Sequence, residues 1–393
     1  MNRLLLSLGA ALVISVGASF AWSPLMALMF LMPLLAGLQR SRLSAYMVAV
    51  AYYAGASWAL VPASRNFLGP SPSPLSAVAL WFLSAVLLAS PFALVWSDRP
   101  ERLAWQLPIG SVINAVPPLG IIGWASPLTS AGLLFPATGW FGLIATAALP
   151  GLLLVRPRVV FGAATTLVLV SNLLSGGIPS PPTDWQAVST EFGGVAHDPL
   201  SPVAQFVAAE RVQEIAQSSG ARIIMFPETV VPIWTEATGL FWQPTFAALR
   251  ASGKTILLGV GMPMIGPEPG GSFTGAPKYR NAVLIAGAES GLFFQRIPVP
   301  IGMWKPFSDA GVPLNVSGKG TVQIGGFRAA VLICYEQLLP WPVLQSMTER
   351  PSVVMAVANE YWVQRTPIPR CQAASVRTWA RLFHVPVLSA TNR

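Results

Sequence analysis

The first 178 residues place the strongest constraint on the fold. They hold no Lys and only two acidic residues, Asp98 and Glu101. Seven apolar stretches fill them, at about 4–22, 24–38, 44–62, 75–96, 106–125, 131–155 and 159–175. A helix crossing the hydrocarbon core of a bilayer needs about 20 mostly apolar residues. Stretch 24–38 is short, and Gln106, Asn114, Pro117 and Pro118 dilute stretch 106–125. Residues 4–22 also fit a signal peptide, but the apolar stretches that follow favour an uncleaved span. The expectation for 1–178 is an α-helical transmembrane bundle of about seven spans.

Arginine placement orients such a bundle. With Met1 in the cytoplasm, the inner loops hold Arg3, Arg40, Arg42, Arg99, Arg102, Arg156 and Arg158, and the outer loops hold only Arg65. This is a positive-inside bias. An odd number of spans then delivers everything after the Gly/Pro/Ser linker "GGIPSPPTD" (176–184) to the far side of the membrane. The expected location is the bacterial inner (cytoplasmic) membrane, multi-pass, with the second domain periplasmic. Much of the net charge of +9 is therefore topology, and no nucleic-acid partner is expected. The spans carry no charged residue at their middles, which argues against an ion-coupled transporter.

Residues 179–393 read differently, with sixteen basic and thirteen acidic residues. Apolar runs alternate with helix-like spacing. Strands are expected at 185–192, 221–226, 254–263 and 352–359, with another at 386–392. Hairpins are expected in 281–300 and 322–334, and helices at 202–220, 244–253 and about 370–383. A Gly/Pro-rich loop fills 264–277, and the aromatic loop 303–313 is a candidate lid. Strands with helices between them give a layered α/β domain.

Two strand exits carry reactive side chains. "IIMFPE" ends on Glu228, and "AVLICYE" places Cys334 at the close of an apolar run. Strand ends gather at one edge of a sheet, where α/β folds assemble sites. A partly dry carboxylate has a raised pKa and can accept a thiol proton. The thiolate then attacks a carbonyl and forms an acyl-enzyme. A helix starting near residue 335 would favour the thiolate. The same pattern is also met by a core thiol and a solvated carboxylate, so spacing alone leaves both readings open. Cys371 reads as a packed thiol. His197 and His384, far apart, give no metal-ligand cluster.

Four motifs, "FPETVVP" (226–232), "LICYEQ" (332–337), "ANEYW" (358–362) and "PVLSATN" (386–392), resemble the nitrilase (carbon–nitrogen hydrolase) superfamily. The architecture is similar to apolipoprotein N-acyltransferases, and "QRIPVPIGMWKPF" with "ICYEQLLPWPVL" looks like the conjugal-transfer TraB proteins. The resemblance implies an α-β-β-α sandwich over 179–393 and a site of Glu base, Lys oxyanion stabiliser and Cys nucleophile. Glu228 and Cys334 match the first and last, and Glu336 matches a positioning acid. The Lys is the departure: the family's Tyr-x-Lys falls on Phe294-Gln295-Arg296, which puts Arg296 in its place. Lys305 is a second candidate for the missing amine. An acid of the acyltransferase site is replaced by Met303, and the sequence stops at Arg393, short of that family's closing strands and last span.

The resemblance implies Cys thioester chemistry, either acyl transfer to an amine or amide hydrolysis, with no cofactor. Expected partners are the lipid bilayer, an acyl or amide substrate such as a phospholipid or protein amine, and the conjugation machinery. The competing reading is a catalytically silent binding or assembly component of a conjugation apparatus.

Overall fold

The computed structural model describes residues 3–68, 73–193, 202–264, 279–306 and 311–393. All but the first residue of the Gly/Pro-rich loop 264–277 lies outside them, as do His197 and residues 307–310 of the candidate lid. The chain divides into two compact units. One comprises Met1–Pro179 with Gln337–Thr348 and Val363–Pro386; the other comprises Ser180–Glu336, Glu349–Trp362 and Val387–Arg393.

The first unit is helical. Its core is built largely of small and aromatic side chains, among them Ala11, Ala45, Ala49, Tyr52, Ala85 and Phe92. Small residues let backbones approach closely, and polar side chains then bond across helices. Tyr53 Oη donates to Asn114 Oδ1 (3.1 Å), and Asn114 Nδ2 donates to the Leu88 carbonyl (2.6 Å).

Among the described residues two helices are long and apolar enough to cross a membrane, Leu75–Leu94 and Pro157–Leu174. A third is counted if Arg42–Ala56 and Leu60–Asn66, bent by 46°, form one span. The other apolar stretches are interrupted. Residues 24–38 break into Ser23–Met26 and Leu31–Gly37, and helix Pro100–Ala115 stops before Pro117-Pro118. Residues 131–155 break into Ala131–Leu134 and Trp140–Val155, and the first stretch forms a helix of 17 residues, Arg3–Ser19.

The second unit contains two sheets. The first has the order β1 (Trp185–Ala187), β2 (Ile223–Met225), β3 (Thr255–Pro263), β4 (Tyr279–Gly287), β5 (Gly291–Phe294). Its first three strands are parallel and the rest antiparallel. The second has the order β6 (Thr321–Ile324), β7 (Phe327–Ile333), β8 (Val353–Asn359), β9 (Val387–Asn392). There β6 and β7 form a hairpin, while β7, β8 and β9 run parallel. Gly325 and Gly326 both have positive φ (59° and 82°), as the tight turn between twisted strands requires.

Period-two alternation assigns the faces. Ile223 and Met225 share a core with Val331, Ile333, Met355 and Val357 of the other sheet. Ile224 and Phe226 point the opposite way and pack with Val212 and Trp242 of helices Pro202–Ser218 and Glu236–Ala251. This unit is thus layered helix, sheet, sheet. The helices between later strands, Pro340–Thr348 and Ile368–Phe383, fall in the first unit. Helix Glu236–Ala251 starts eight residues before the expected 244, because Thr235 and Thr238 form a capping box and the helix accommodates Pro244 internally.

Candidate active site

Glu228 sits two residues past Phe226, whose N–H still bonds to Leu257 O (2.9 Å). The chain turns here against β3 at very short range. A Cβ on Gly259 would lie 2.1 Å from the Pro227 carbonyl oxygen and 2.5 Å from the Glu228 Cα, so only glycine admits this approach. Thr229 follows with φ 49°. Cys334 closes β7 with φ 52° and opens the short 3-10 helix Cys334–Leu338. A left-handed non-glycine residue costs of order 1–3 kcal/mol and recurs where a reactive side chain is aimed by a strand-to-helix turn. Both residues are buried, Glu228 at 5% and Cys334 at 7% exposure.

The two side chains meet: the Cys334 thiol and the Glu228 carboxylate share a hydrogen bond. Burial raises the Glu228 pKa to about 7, against hydrogen bonds from the Asn359 backbone and Cys334; the charge of Glu336 pushes it up further. Asn281 Nδ2 donates to Glu228 Oε1 (2.6 Å), and the Asn359 N–H donates to Oε2 (2.8 Å). Burial, then the neighbouring Glu228 charge and hydrogen bond, push the Cys334 thiol up, while backbone bonds from Tyr335 and Asn359 oppose the rise. Burial and Glu228 outweigh these backbone bonds, and the net shift is upward.

Asn359 ends β8. Its Nδ2 donates to Thr229 Oγ1 (3.1 Å), and its Oδ1 accepts from Asn392 Nδ2 (3.2 Å). Two of the sequence motifs thus serve to hold the Asn359 N–H on the carboxylate. Asn281 Nδ2 also bonds to Gln295 Oε1 (3.2 Å), and Gln295 Nε2 donates to Ile333 O (3.2 Å), beside the nucleophile. Asn281 Oδ1 is buried and has no partner.

Neither Asn281 nor Gln295 stood out in the sequence. A lone polar residue within the apolar run "NAVLIAG" was the available signal for Asn281. Gln295 is the residue of Phe294-Gln295-Arg296 that joins the Glu228 network. Arg296, which the motif put at the position of the Lys, is fully buried and turns elsewhere: its Nη2 donates to Val331 O (3.2 Å), and its Nε lies 3.4 Å from Glu336 Oε1. Glu336, with no exposed surface, accepts from the backbone N–H groups of Arg296 (2.7 Å) and Ile297 (3.0 Å) through Oε1. Its Oε2 accepts from the N–H of Ile333 (3.1 Å). Lys305 is exposed, on the segment after the Pro300–Trp304 bridge. Cys371 is a buried free thiol whose Sγ donates to Ser19 O (3.1 Å).

No family model matches the chain. Conjugal transfer protein TraB of Agrobacterium fabrum is 32% identical over 406 residues, spanning 97% of this chain and 91% of that protein. The probable conjugal transfer protein TraB of Sinorhizobium fredii is 30% identical over 395 residues, spanning 99% and 97%. An apolipoprotein N-acyltransferase of Methylococcus capsulatus is 27% identical over 296 residues, or 69% of this chain and 57% of that one. Among solved structures, an amidase from Nesterenkonia sp. aligns with TM-score 0.34 and 14% identity over 53% of this chain and 74% of that chain. The resemblance to the conjugal-transfer TraB proteins therefore extends over nearly the whole sequence, and the chain belongs to the family of conjugal transfer protein TraB.

Proposed function

We propose that the chain is a membrane-anchored acyl-transferring or amide-hydrolysing enzyme that works through a Cys334 thioester. The observation that carries this reading is the hydrogen bond between two buried groups, Glu228 and Cys334, brought together from strand exits in two different sheets. Glu228 takes the Sγ proton as the sulfur attacks the substrate carbonyl, and a tetrahedral oxyanion forms. Collapse expels the amine or alcohol, which leaves with the proton held by Glu228. Water or an acceptor amine then attacks the thioester, again losing its proton to Glu228, and the thiol is restored. A carboxyl poised at about 7 suits both directions of transfer. Backbone N–H groups near the sulfur and the Gln295 amide are the groups available to the oxyanion. The orphaned Asn281 Oδ1 suits an N–H of the amide or of the incoming amine. In this reading Arg296 and Glu336 hold the frame, and Lys305 is exposed.

The membrane placement rests on helix Pro157–Leu174, which is apolar and has none of its residues buried. Lipid is the solvent that such a helix fits. The arginine bias supports a periplasmic place for the second unit, and the names of the relatives suggest conjugation as its setting. A cysteine introduced within 264–277 reacts with an impermeant maleimide on intact spheroplasts if this orientation holds; protection from the reagent reverses it.

One feature favours a second reading, a silent assembly component: among the described residues a neutral Gln295, not an ammonium, stands in the Glu228 network. Intact-protein mass spectrometry after incubating membranes with phospholipid or small amides separates the two. A hydroxylamine-labile adduct on wild type, absent from Cys334→Ala and weak on Glu228→Gln, establishes the enzyme. No adduct and no amide turnover leaves the silent component.

A further inference from the structure

The helix Ile368–Phe383 carries arginines at 370, 377 and 381, spaced to lie along one face. Within the helical unit that face borders a cleft of about 320 Å³ lined also by Phe20, Ser23 and Leu133. The unit's only acidic residues are Asp98 and Glu101, and Asp98 lines a separate cleft with Arg3 and Arg40. Among the described residues no carboxylate makes an ion pair with Arg370, Arg377 or Arg381. Arg377 bonds only to the Ala373 carbonyl of its own helix (3.2 Å), and Arg381 Nη2 donates to Asn172 Oδ1 (2.7 Å). Arg381 Nε is buried and unpartnered. A buried guanidinium N–H without an acceptor is costly, and a forked donor set of this kind suits a phosphate.

The cleft's level in the bilayer narrows the ligand. Asn172 lies in the last turn of helix Pro157–Leu174, whose 18 residues at about 1.5 Å each cover about 27 Å, close to the hydrocarbon thickness. Arg156 and Arg158 mark the opposite end. Phe20 and Ser23 follow the end of the apolar helix Arg3–Ser19. Exposed aromatics sit at helix ends here: Phe20 and Trp22 follow helix Arg3–Ser19, Phe20 lies against Trp58 at 6.0 Å, and Trp140, 5.2 Å from Phe383, opens helix Trp140–Val155. Tryptophans gather in this way where hydrocarbon meets headgroups.

We propose that this cleft binds the phosphate of an anionic phospholipid headgroup, with the acyl chains lying on the apolar surface of helix Pro157–Leu174. The inference rests on the reading that the helical unit spans a membrane, and it is independent of the Cys334 chemistry. The bound lipid is a fixed ligand, and its phosphate supplies the acceptors that Arg377 and the Arg381 Nε lack.

Native mass spectrometry of the full-length protein in detergent, titrated with phosphatidylglycerol, tests it. Phosphatidylcholine serves as the zwitterionic control and inorganic phosphate as the soluble competitor. Wild type is expected to retain phosphatidylglycerol at least about tenfold more tightly than phosphatidylcholine, and millimolar phosphate should not displace it. The double variant R377Q/R381Q is expected to lose roughly thirtyfold in affinity. R156Q/R158Q should stay within twofold of wild type. Ala374→Leu, which fills the cleft without altering charge, should weaken binding in parallel and guards against misfolding of the double variant. Equal retention of the two lipids, or unchanged binding in both R377Q/R381Q and Ala374→Leu, overturns the proposal. Displacement by inorganic phosphate reassigns the cleft to a soluble anion and overturns it too. Alkaline carbonate extraction separates the two failures: protein released by the wash removes the membrane reading, whereas protein retained without a lipid preference removes only the headgroup site.

Discussion

Glu228 and Glu336 are two carboxylates of one unit, both buried, that the fold treats in opposite ways. Glu336 is surrounded by donors: three backbone N–H groups and the Arg296 guanidinium. It acts as a bracket between β7 and the chain leaving β5. Glu228 receives one amide, one backbone N–H and a thiol, with no cation, and its pKa rises to about 7. The difference shows how burial separates structure from chemistry. A buried carboxylate kept short of donors can exchange a proton near neutrality.

Breaking the Glu228 side of this contrast has the largest expected effect. Cys334→Ala should abolish the covalent adduct, and Glu228→Gln should slow acylation by roughly 10²–10⁴-fold. A Glu228→Gln variant as fast as wild type would falsify the general-base assignment. Glu336→Ala should act on the fold: removing one member of a buried ion pair costs about 3–5 kcal/mol, read as a lowered unfolding midpoint. Stability unchanged by Glu336→Ala would remove the bracket.

The pH dependence sharpens the same comparison. Glu228 is raised from 4.5 to about 7 on folding, so the folded state holds its proton more tightly than the unfolded chain. The associated stability is complete below about pH 4.5 and is lost as pH rises through about 7, amounting to about 3 kcal/mol. Denaturation midpoints across this window should slope downward for wild type and flatten in Glu228→Gln. Over the same range the rate of Cys334 alkylation should rise as the base ionises. The smallest effect is expected at Lys305, which is exposed: Lys305→Ala should change turnover by less than about twofold. A larger loss would make that amine part of the site.

The strand exits were legible because apolar runs ending on a polar residue announce themselves, and both Glu228 and Cys334 were found in that way. The choice between Gln295 and Arg296 was not. They are adjacent and project to opposite sides, and which side meets Glu228 is fixed where the Glu336 carboxylate captures the N–H groups of Arg296 and Ile297. That capture is a long-range contact with no local signature. Asn281 and Asn359 were hidden because an asparagine beside an apolar run reads as a turn residue. The apolar stretches of the first half were visible as composition, but hydropathy averages across a break such as that between Met26 and Leu31 and does not register that the helix stops.

The hold of Asn359 on Glu228 bears on when the protein can begin to work during its own synthesis. The base is made early, yet its Oε2 partner lies 131 residues later, and the Asn392 amide that steadies Asn359 comes later still. Until β8 and β9 have left the ribosome and paired, Glu228 and Cys334 both lack the Asn359 backbone donor. In the proposed mechanism, a nascent chain therefore gains its held base only once β8 and β9 have paired.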